Sequence, residues 1–209
     1  MLFYQKFGKR SIDIIFSSLA FLFLWPFFLL VALLIKLDSS GPVIFKQKRT
    51  GKNGQVFTFY KFRTMVNNAE KLKEKYRRLN EADGPVFKIE NDPRFTPIGK
   101  ILSHNGFDEF PQFFNVLKGK MSLVGPRPLP IKEEAEIEFP YQTKRRLVKP
   151  GIISSWLIKG AHKLTFKQWM DSDLEDIQKM SFTRDLKILF KTFLLILKYT
   201  QKELTGKLR

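Results

Sequence analysis

Between Asp13 and Lys36 the chain runs for 22 residues, Ile14 to Ile35, without a charge, and nearly all of them are apolar. At 1.5 Å per residue a straight helix of that length covers roughly 33 Å, against a hydrocarbon core of about 30 Å. The core helix of a soluble protein seldom runs so far without a polar face. A cleaved signal peptide fits no better. Lys6, Lys9 and Arg10 would serve as its basic start, but the apolar run is too long and no small-x-small cleavage site follows. The segment therefore reads as a retained membrane element.

Whether it crosses is a separate question. Pro26 stands near its middle, where it removes one intrahelical hydrogen bond and crowds the preceding turn. Lys6, Lys9 and Arg10 precede the segment, and Lys36, Lys46, Lys48, Arg49 and Lys52 follow it. A spanning helix calls for an imbalance of basic residues between its two sides, and here both sides are basic. Charge and proline together favour a helix–break–helix that enters and leaves one leaflet, both ends on the cytoplasmic face. They leave a spanning helix open, because transmembrane helices tolerate proline.

Across all 209 residues, 37 Lys and Arg stand against 20 Asp and Glu, a formal charge of +17. Most of that excess follows the membrane segment, so a basic domain is attached to it. Such a charge implies an anionic partner: nucleic acid, anionic lipid head groups or a phosphorylated substrate. No recognised nucleic-acid module is present, so specific nucleic-acid binding is not expected. Cysteine is absent, which excludes disulfides, thiolate catalysis and Cys-ligated metals. Two histidines, His104 and His162, leave little for a histidine metal site.

Val43-Ile44-Phe45 and the aromatic run Val56 to Phe62 read as strands, joined through a Lys52-Asn53-Gly54 turn into a hairpin. Ala69 to Ala82 reads as a charged helix with Leu72, Tyr76 and Leu79 as its apolar stripe. Short helices are expected around Ile98 to Leu102 and from Glu109 to Leu117, Pro111 being tolerated in a first turn. Residues 131 to 148 read as another charged helical stretch. Leu186 to Tyr199 is an apolar helix carrying Lys187, Lys191 and Lys198. It suits an interfacial helix with snorkelling lysines and ordinary core packing about equally.

Asp108 and Glu109 are adjacent acids just before a helix, in an otherwise basic domain. An aspartate there is often only a cap. Two adjacent acids can also divide labour, one as nucleophile and one holding a divalent cation. A carboxylate can attack a phosphoryl group to form an acyl phosphate, provided cations offset the repulsion. Lys61, Arg63, Lys118, Lys120 and Arg127 are available for that. Arg127 lies in Gly125-Pro126-Arg127-Pro128, where flanking prolines limit the backbone and the guanidinium fork suits phosphate oxygens. No glycine-rich phosphate loop, HExxH or Gly-x-Ser-x-Gly competes with this reading.

Together these residues resemble the bacterial sugar transferase family, the monotopic polyprenyl-phosphate phosphoglycosyl transferases. The resemblance runs through Lys9-Arg10 with Asp13, the proline-containing apolar helix, and GPVIFKQKRTGKNGQVFTFYKFRTM from Gly41 to Met65. It continues with FDEFPQFFNVLKGKMSLVGPRP from Phe107 to Pro128, VKPGI from Val148, and DLKILFKT from Asp185 to Thr192. The length resembles that of the family's minimal catalytic form.

The resemblance implies an α+β, mostly helical fold. It would have a proline-broken re-entrant membrane helix over 1–38 and a catalytic domain over 39–209. A small β-hairpin and interfacial amphipathic helices would surround an active site on the cytosolic face of the bacterial inner membrane. It implies transfer of a sugar phosphate from a UDP-sugar to polyprenyl phosphate with release of UMP, at the start of surface polysaccharide or glycoconjugate assembly. Asp108 would be the nucleophile and Glu109 the Mg²⁺-holding acid. Lys61, Arg63 and Arg127 would face phosphate. Anionic lipids, a second copy of the chain and downstream glycosyltransferases are the expected partners.

Three positions depart from the family's pattern. The arginine expected five residues before the aspartate is Ser103, for which Lys100 or His104 would substitute. After VKPG, the expected Gln is Leu157 and the expected Arg is Ala161. These departures carry the second reading, a catalytically weak or silent membrane-anchored scaffold for polysaccharide assembly.

Overall fold

The computed structural model describes residues 4–161 and 164–204; His162 and the side chain of Lys6 lie outside what is described. The architecture is mostly helical α+β. One long apolar helix, α1 (Lys9–Asp38), packs against a small antiparallel hairpin and a set of short helices. Helical backbone continues on both sides of Pro26, which lies inside α1 and offers no N–H to the preceding turn.

Both ends of α1 are fastened to the same body. At its start Arg10 donates to the Val116 and Leu117 carbonyls at 2.6 and 2.9 Å, and buried Asp13 accepts from Ser122 Oγ and the Leu123 amide at 3.0 and 2.9 Å. Lys9 also pairs with Asp185. At its far end Val31 and Ile35 bury with Phe62 and Leu102, while Phe27 and Phe28 pack beside them. Between these ends much of α1 presents bare hydrocarbon, with Leu22 63% and Leu29 62% exposed. Such exposure along a helix about 45 Å long is what a lipid-facing surface requires.

Strands β1 (Ile44–Thr50) and β2 (Val56–Phe62) pair antiparallel from Ile44↔Phe62 to Thr50↔Val56. Asn53 (φ 54°) and Gly54 (φ 74°) form the left-handed corner that Asn-Gly supplies cheaply. Alternation along β2 sends Phe57 and Phe59 to Val116 and Met121, and Phe62 to α1. A second, two-residue-register parallel pairing joins β3 (Ser122–Val124) to β4 (Gly151–Ile153), and sequence patterning did not foresee it. There a Cβ on Gly151 would sit 2.1 Å from the Gly125 amide nitrogen, so the backbones meet only as glycines.

Two helical expectations are corrected. The expected helix over Ala69 to Ala82 shrinks to α2 (Ala69–Leu72) and a 3₁₀ turn, Arg77–Leu79. Its stripe finds little to bury, Leu79 being 52% exposed, and crowded lysines and arginines gain nothing from coiling alone. The stretch over 131–148 splits into α5 (Ile131–Ala135) and α6 (Tyr141–Arg145) at Pro140. Elsewhere α3 (Pro97–His104) starts from Thr96, whose side chain accepts from the Gly99 amide at 3.1 Å, with Pro97 in the first turn. α4 (Gln112–Leu117) and α7 (Ser155–Ile158) are short. α8 (Phe166–Gln178) opens on a Thr165/Gln168 capping box, and α9 (Phe182–Leu204) closes the described chain.

α9 packs on the core along one face only. Ile188 packs on Leu123 and Val124, whereas Leu186, Phe190, Phe193, Leu194 and Leu197 form a bare apolar face.

Candidate active site

Chain geometry delivers Asp108. α3 stops at Asn105, Gly106 takes φ +72° as helix-ending glycines do, and the chain turns into the 3₁₀ segment Phe107–Glu109. Asp108 is buried there, although it is charged in the reaction its type would serve. Lys61, on the same face of β2 as Phe57 and Phe59, brings its Nζ to 3.6 Å from Asp108 Oδ2. Glu109 Oε1 accepts a hydrogen bond from Arg127 Nη2.

The loop carrying Arg127 is held from behind. Arg145 donates to the Arg127 carbonyl at 2.6 Å, and Arg49 donates to the Pro128 carbonyl at 2.6 Å. Arg145 is itself buried against Asp173 at 3.1 Å and Glu134 at 3.5 Å. Arg49 lies 3.9 Å over the Phe59 ring. Neither Arg49 nor Arg145 stood out in the sequence. Arg49 was one of several basic residues after the membrane segment, and Arg145 was one residue in a charged stretch.

The two acids sit in different electrostatic settings. Burial raises Asp108 to about 6, with Lys61 opposing the rise and Glu109 adding to it. Burial works against charged Glu109 too, but Arg127 outweighs it, with Lys61 and Arg49 behind, and holds that carboxyl below the usual range. One acid is thus poised to titrate and the other stays anionic, an arrangement suited to separate roles.

Of the other expected residues, Arg63 lines the same cavity, but its guanidinium is committed. It donates to the Ser39 carbonyl at 2.7 Å and to that of Ser40, just past the last turn of α1. His104 lines the cavity from an exposed position, its Nε2 3.3 Å from the Glu90 carbonyl. Lys100 is exposed and lies away from the lining. Lys118 covers Phe114 at 4.3 Å and, like Lys120, stays out of the lining. Ser103, Leu157 and Ala161 all line the cavity of Asp108. Pro26 lies on the exposed part of α1.

Among the described residues no group of three His, Cys, Asp or Glu gathers to hold a metal. Glu109 Oε1 is committed to Arg127, which leaves its second oxygen as the one a divalent ion could take.

The chain is 40% identical over 191 residues to the galactosyl transferase CpsE of Streptococcus agalactiae, covering 91% of this chain and 42% of that protein. It is 36% identical over 189 residues to the exopolysaccharide production protein ExoY of Rhizobium meliloti, covering 88% and 83%. A UDP-N-acetylgalactosamine-undecaprenyl-phosphate N-acetylgalactosaminephosphotransferase of Aeromonas hydrophila is 39% identical over 197 residues, 91% of this chain and 44% of that protein. The chain thus spans about two-fifths of the longer relatives and most of the shorter one. Residues 4–199, which hold the long apolar helix, the Asp108–Glu109 pair and the braced arginine loop, match the family described as bacterial sugar transferase: the chain belongs to the bacterial sugar transferase family.

Proposed function

We propose that the chain transfers a sugar phosphate from a UDP-sugar to polyprenyl phosphate and releases UMP, as a first step of surface polysaccharide or glycoconjugate assembly. The observation that carries this reading is buried Asp108 with Lys61 at 3.6 Å, beside a Glu109–Arg127 pair. An Asp108 oxygen attacks the phosphorus that bears the sugar, and the bond from that phosphorus to the UMP oxygen breaks. UMP leaves with the electron pair. A phosphate oxygen of the lipid then attacks the same phosphorus, and the bond to Asp108 breaks, restoring the carboxylate.

Lys61 and Arg127 offset the charge on the phosphates as they meet the carboxylate. Glu109, with donor phosphate oxygens, would hold Mg²⁺, which when bound supplies further charge neutralisation at the diphosphate.

The membrane reading follows from α1. Both of its ends return to one body and both flanks are basic, which supports a re-entrant segment over 1–38 bent at Pro26, with domain 39–209 on the cytoplasmic face of the inner membrane. Anionic lipids would meet Lys187 and Lys191, which are exposed on α9.

The test is intact mass and UMP release for protein held in nanodiscs, with Mg²⁺, polyprenyl phosphate and a panel of UDP-sugars. Wild type is expected to show UMP release and a phosphosugar adduct, and Asp108→Asn neither. Silence from folded wild type across the panel would favour the scaffold reading and point to Ser103, Leu157 and Ala161.

A further inference from the structure

The cavity of Asp108 takes its charged walls from Lys61, Arg127 and Arg49 and its apolar walls from α1 and α9. A second concentration of positive charge lies outside that lining. It gathers Arg10 from the first turn of α1, Lys52 from the hairpin corner, Lys120 from the segment after α4, and Lys149 from the turn before β4. The Arg10 guanidinium and the Lys149 ammonium meet over Gly119, at 3.6 and 3.7 Å from where a Cβ on that glycine would stand.

No acid answers these charges. Among the described residues none of the four side chains makes an ion pair. Arg10 donates to the Val116 and Leu117 carbonyls, which carry no net charge. The carboxylate that acts on Lys149 is Asp13, which is buried and spent on Ser122 and the Leu123 amide. Burial lowers Lys149 from the ordinary lysine range, and Arg10, Lys52 and Lys120 add to the fall. A lysine on its flexible stem ordinarily swings into water, away from other cations. Lys149 is half-buried and held beside Arg10 instead. An anion completes such an arrangement, and a phosphate suits it, because its oxygens can meet a guanidinium and ammonium groups together.

The level of the cluster on the molecule selects the source of that phosphate. Exposed hydrocarbon on α1 begins at Ile14 and Ile15, one turn beyond Arg10. The cations thus stand where apolar surface gives way to polar, the depth at which lipid phosphates lie. The cluster also backs the loop that carries Arg127. The Lys149 carbonyl lies 2.7 Å from where a Cβ on Gly125 would stand, and the Gly151 amide donates to the Pro126 carbonyl at 2.9 Å. A ligand on Lys149 and Arg10 would clamp the start of α1 to that loop.

We infer that Arg10, Lys52, Lys120 and Lys149 form a binding site for the phosphate of an anionic phospholipid, distinct from the cavity that holds Asp108. Binding there needs no turnover, so its test is separate from that of the transferase reading.

The full chain is placed in phosphatidylcholine nanodiscs with and without phosphatidylglycerol, and the lipid kept on the extracted protein is counted by native mass spectrometry. Wild type is expected to keep one phosphatidylglycerol. Each lysine near an anionic surface contributes about fivefold in binding, so Lys120→Gln with Lys149→Gln should weaken retention at least about fivefold. Lys187→Gln with Lys191→Gln removes the same charge from α9 and should leave that lipid in place. Equal loss in the two double variants overturns the site, because general attraction to a basic chain then explains the binding. Phosphatidylglycerol should also raise the melting temperature of wild type, and inorganic phosphate in phosphatidylcholine discs should not. An equal rise with inorganic phosphate overturns the lipid as its ligand.

A further measurement needs no variant to fold. Phosphatidylglycerol with a photoreactive head group is irradiated on wild-type protein, and the labelled peptides are mapped. Label within 118–120 and 148–150, displaced by unlabelled phosphatidylglycerol, is the expected result. Label that spares both segments, or that unlabelled lipid does not displace, overturns the assignment.

Discussion

At the charged end of the cavity each group is placed by a specific bond: Lys61 faces Asp108, Arg127 holds Glu109, and Arg145 and Arg49 hold the carbonyls of the loop that carries Arg127. At the apolar end two helices offer side chains whose contribution is spread over many weak contacts. The first arrangement concentrates function in single atoms. The second dilutes it, and neighbouring residues can make up for one another. Substitutions should therefore be severe at one end and mild at the other, with the largest at the reacting atom itself.

Asp108→Asn keeps the size and burial of the side chain and removes the attacking carboxylate. UMP release should drop by at least about 10³-fold, as expected for loss of a nucleophile, with the melting temperature little changed. Arg145→Ala comes next and acts differently. It strips a buried cation from Glu134 and Asp173, which should cost about 3–5 kcal/mol of stability, read by thermal unfolding in detergent. Arg145→Lys restores the charge but not the fork that reaches the Arg127 carbonyl. Stability should return further than kcat does if Arg145 positions the loop, and both should return together if it only fills space.

The pH profile sharpens the same end. Asp108 must be ionised to attack, and burial raises it to about 6. The rate should therefore rise as pH increases through about 6 and level off above it. Lys61 favours the carboxylate, so Lys61→Met should move that limb to higher pH and lower the plateau about 10²-fold, roughly the cost of one electrostatic stabiliser. An unshifted limb would detach Lys61 from Asp108.

Arg63 lines the same cavity and tests how far sequence reading carries. The family resemblance implied that it faces phosphate, but its guanidinium sits on the carbonyls after α1. Arg63→Ala should cost about 2 kcal/mol of stability, the range for hydrogen bonds to a charged group, and should leave the KM for the UDP-sugar near wild type. A large rise in that KM with stability intact would return Arg63 to the substrate. The acid pair, the GPRP loop, the hairpin and α1 were legible because each rests on local pattern: adjacent charges, paired prolines, an Asn-Gly corner, an uncharged run. The grip of Arg145 on the Arg127 carbonyl and the parallel β3–β4 pairing were not, because they join residues far apart whose local sequence is ordinary. The Thr165-x-x-Gln168 start of α8 was legible in principle, as a capping box ahead of an apolar-periodic run.

The smallest effect should come from the outer face of α9. Leu197 is 50% exposed and stands beside the cavity-lining Ile196 without lining the cavity itself. If lipid covers that face, Leu197→Ala exchanges one hydrocarbon contact among many, and stability should change by no more than about 0.5 kcal/mol. The overall rate should stay within about twofold, because no reacting group depends on Leu197 for its position. A protein partner would respond differently, since truncating an anchor in a packed interface commonly costs about 2 kcal/mol or more. Leu197→Ala measured in nanodiscs alongside Phe193→Ala therefore separates the two coverings. Small additive losses fit a lipid face, whereas a large loss accompanied by a change in oligomeric state would show that α9 meets another chain through this face.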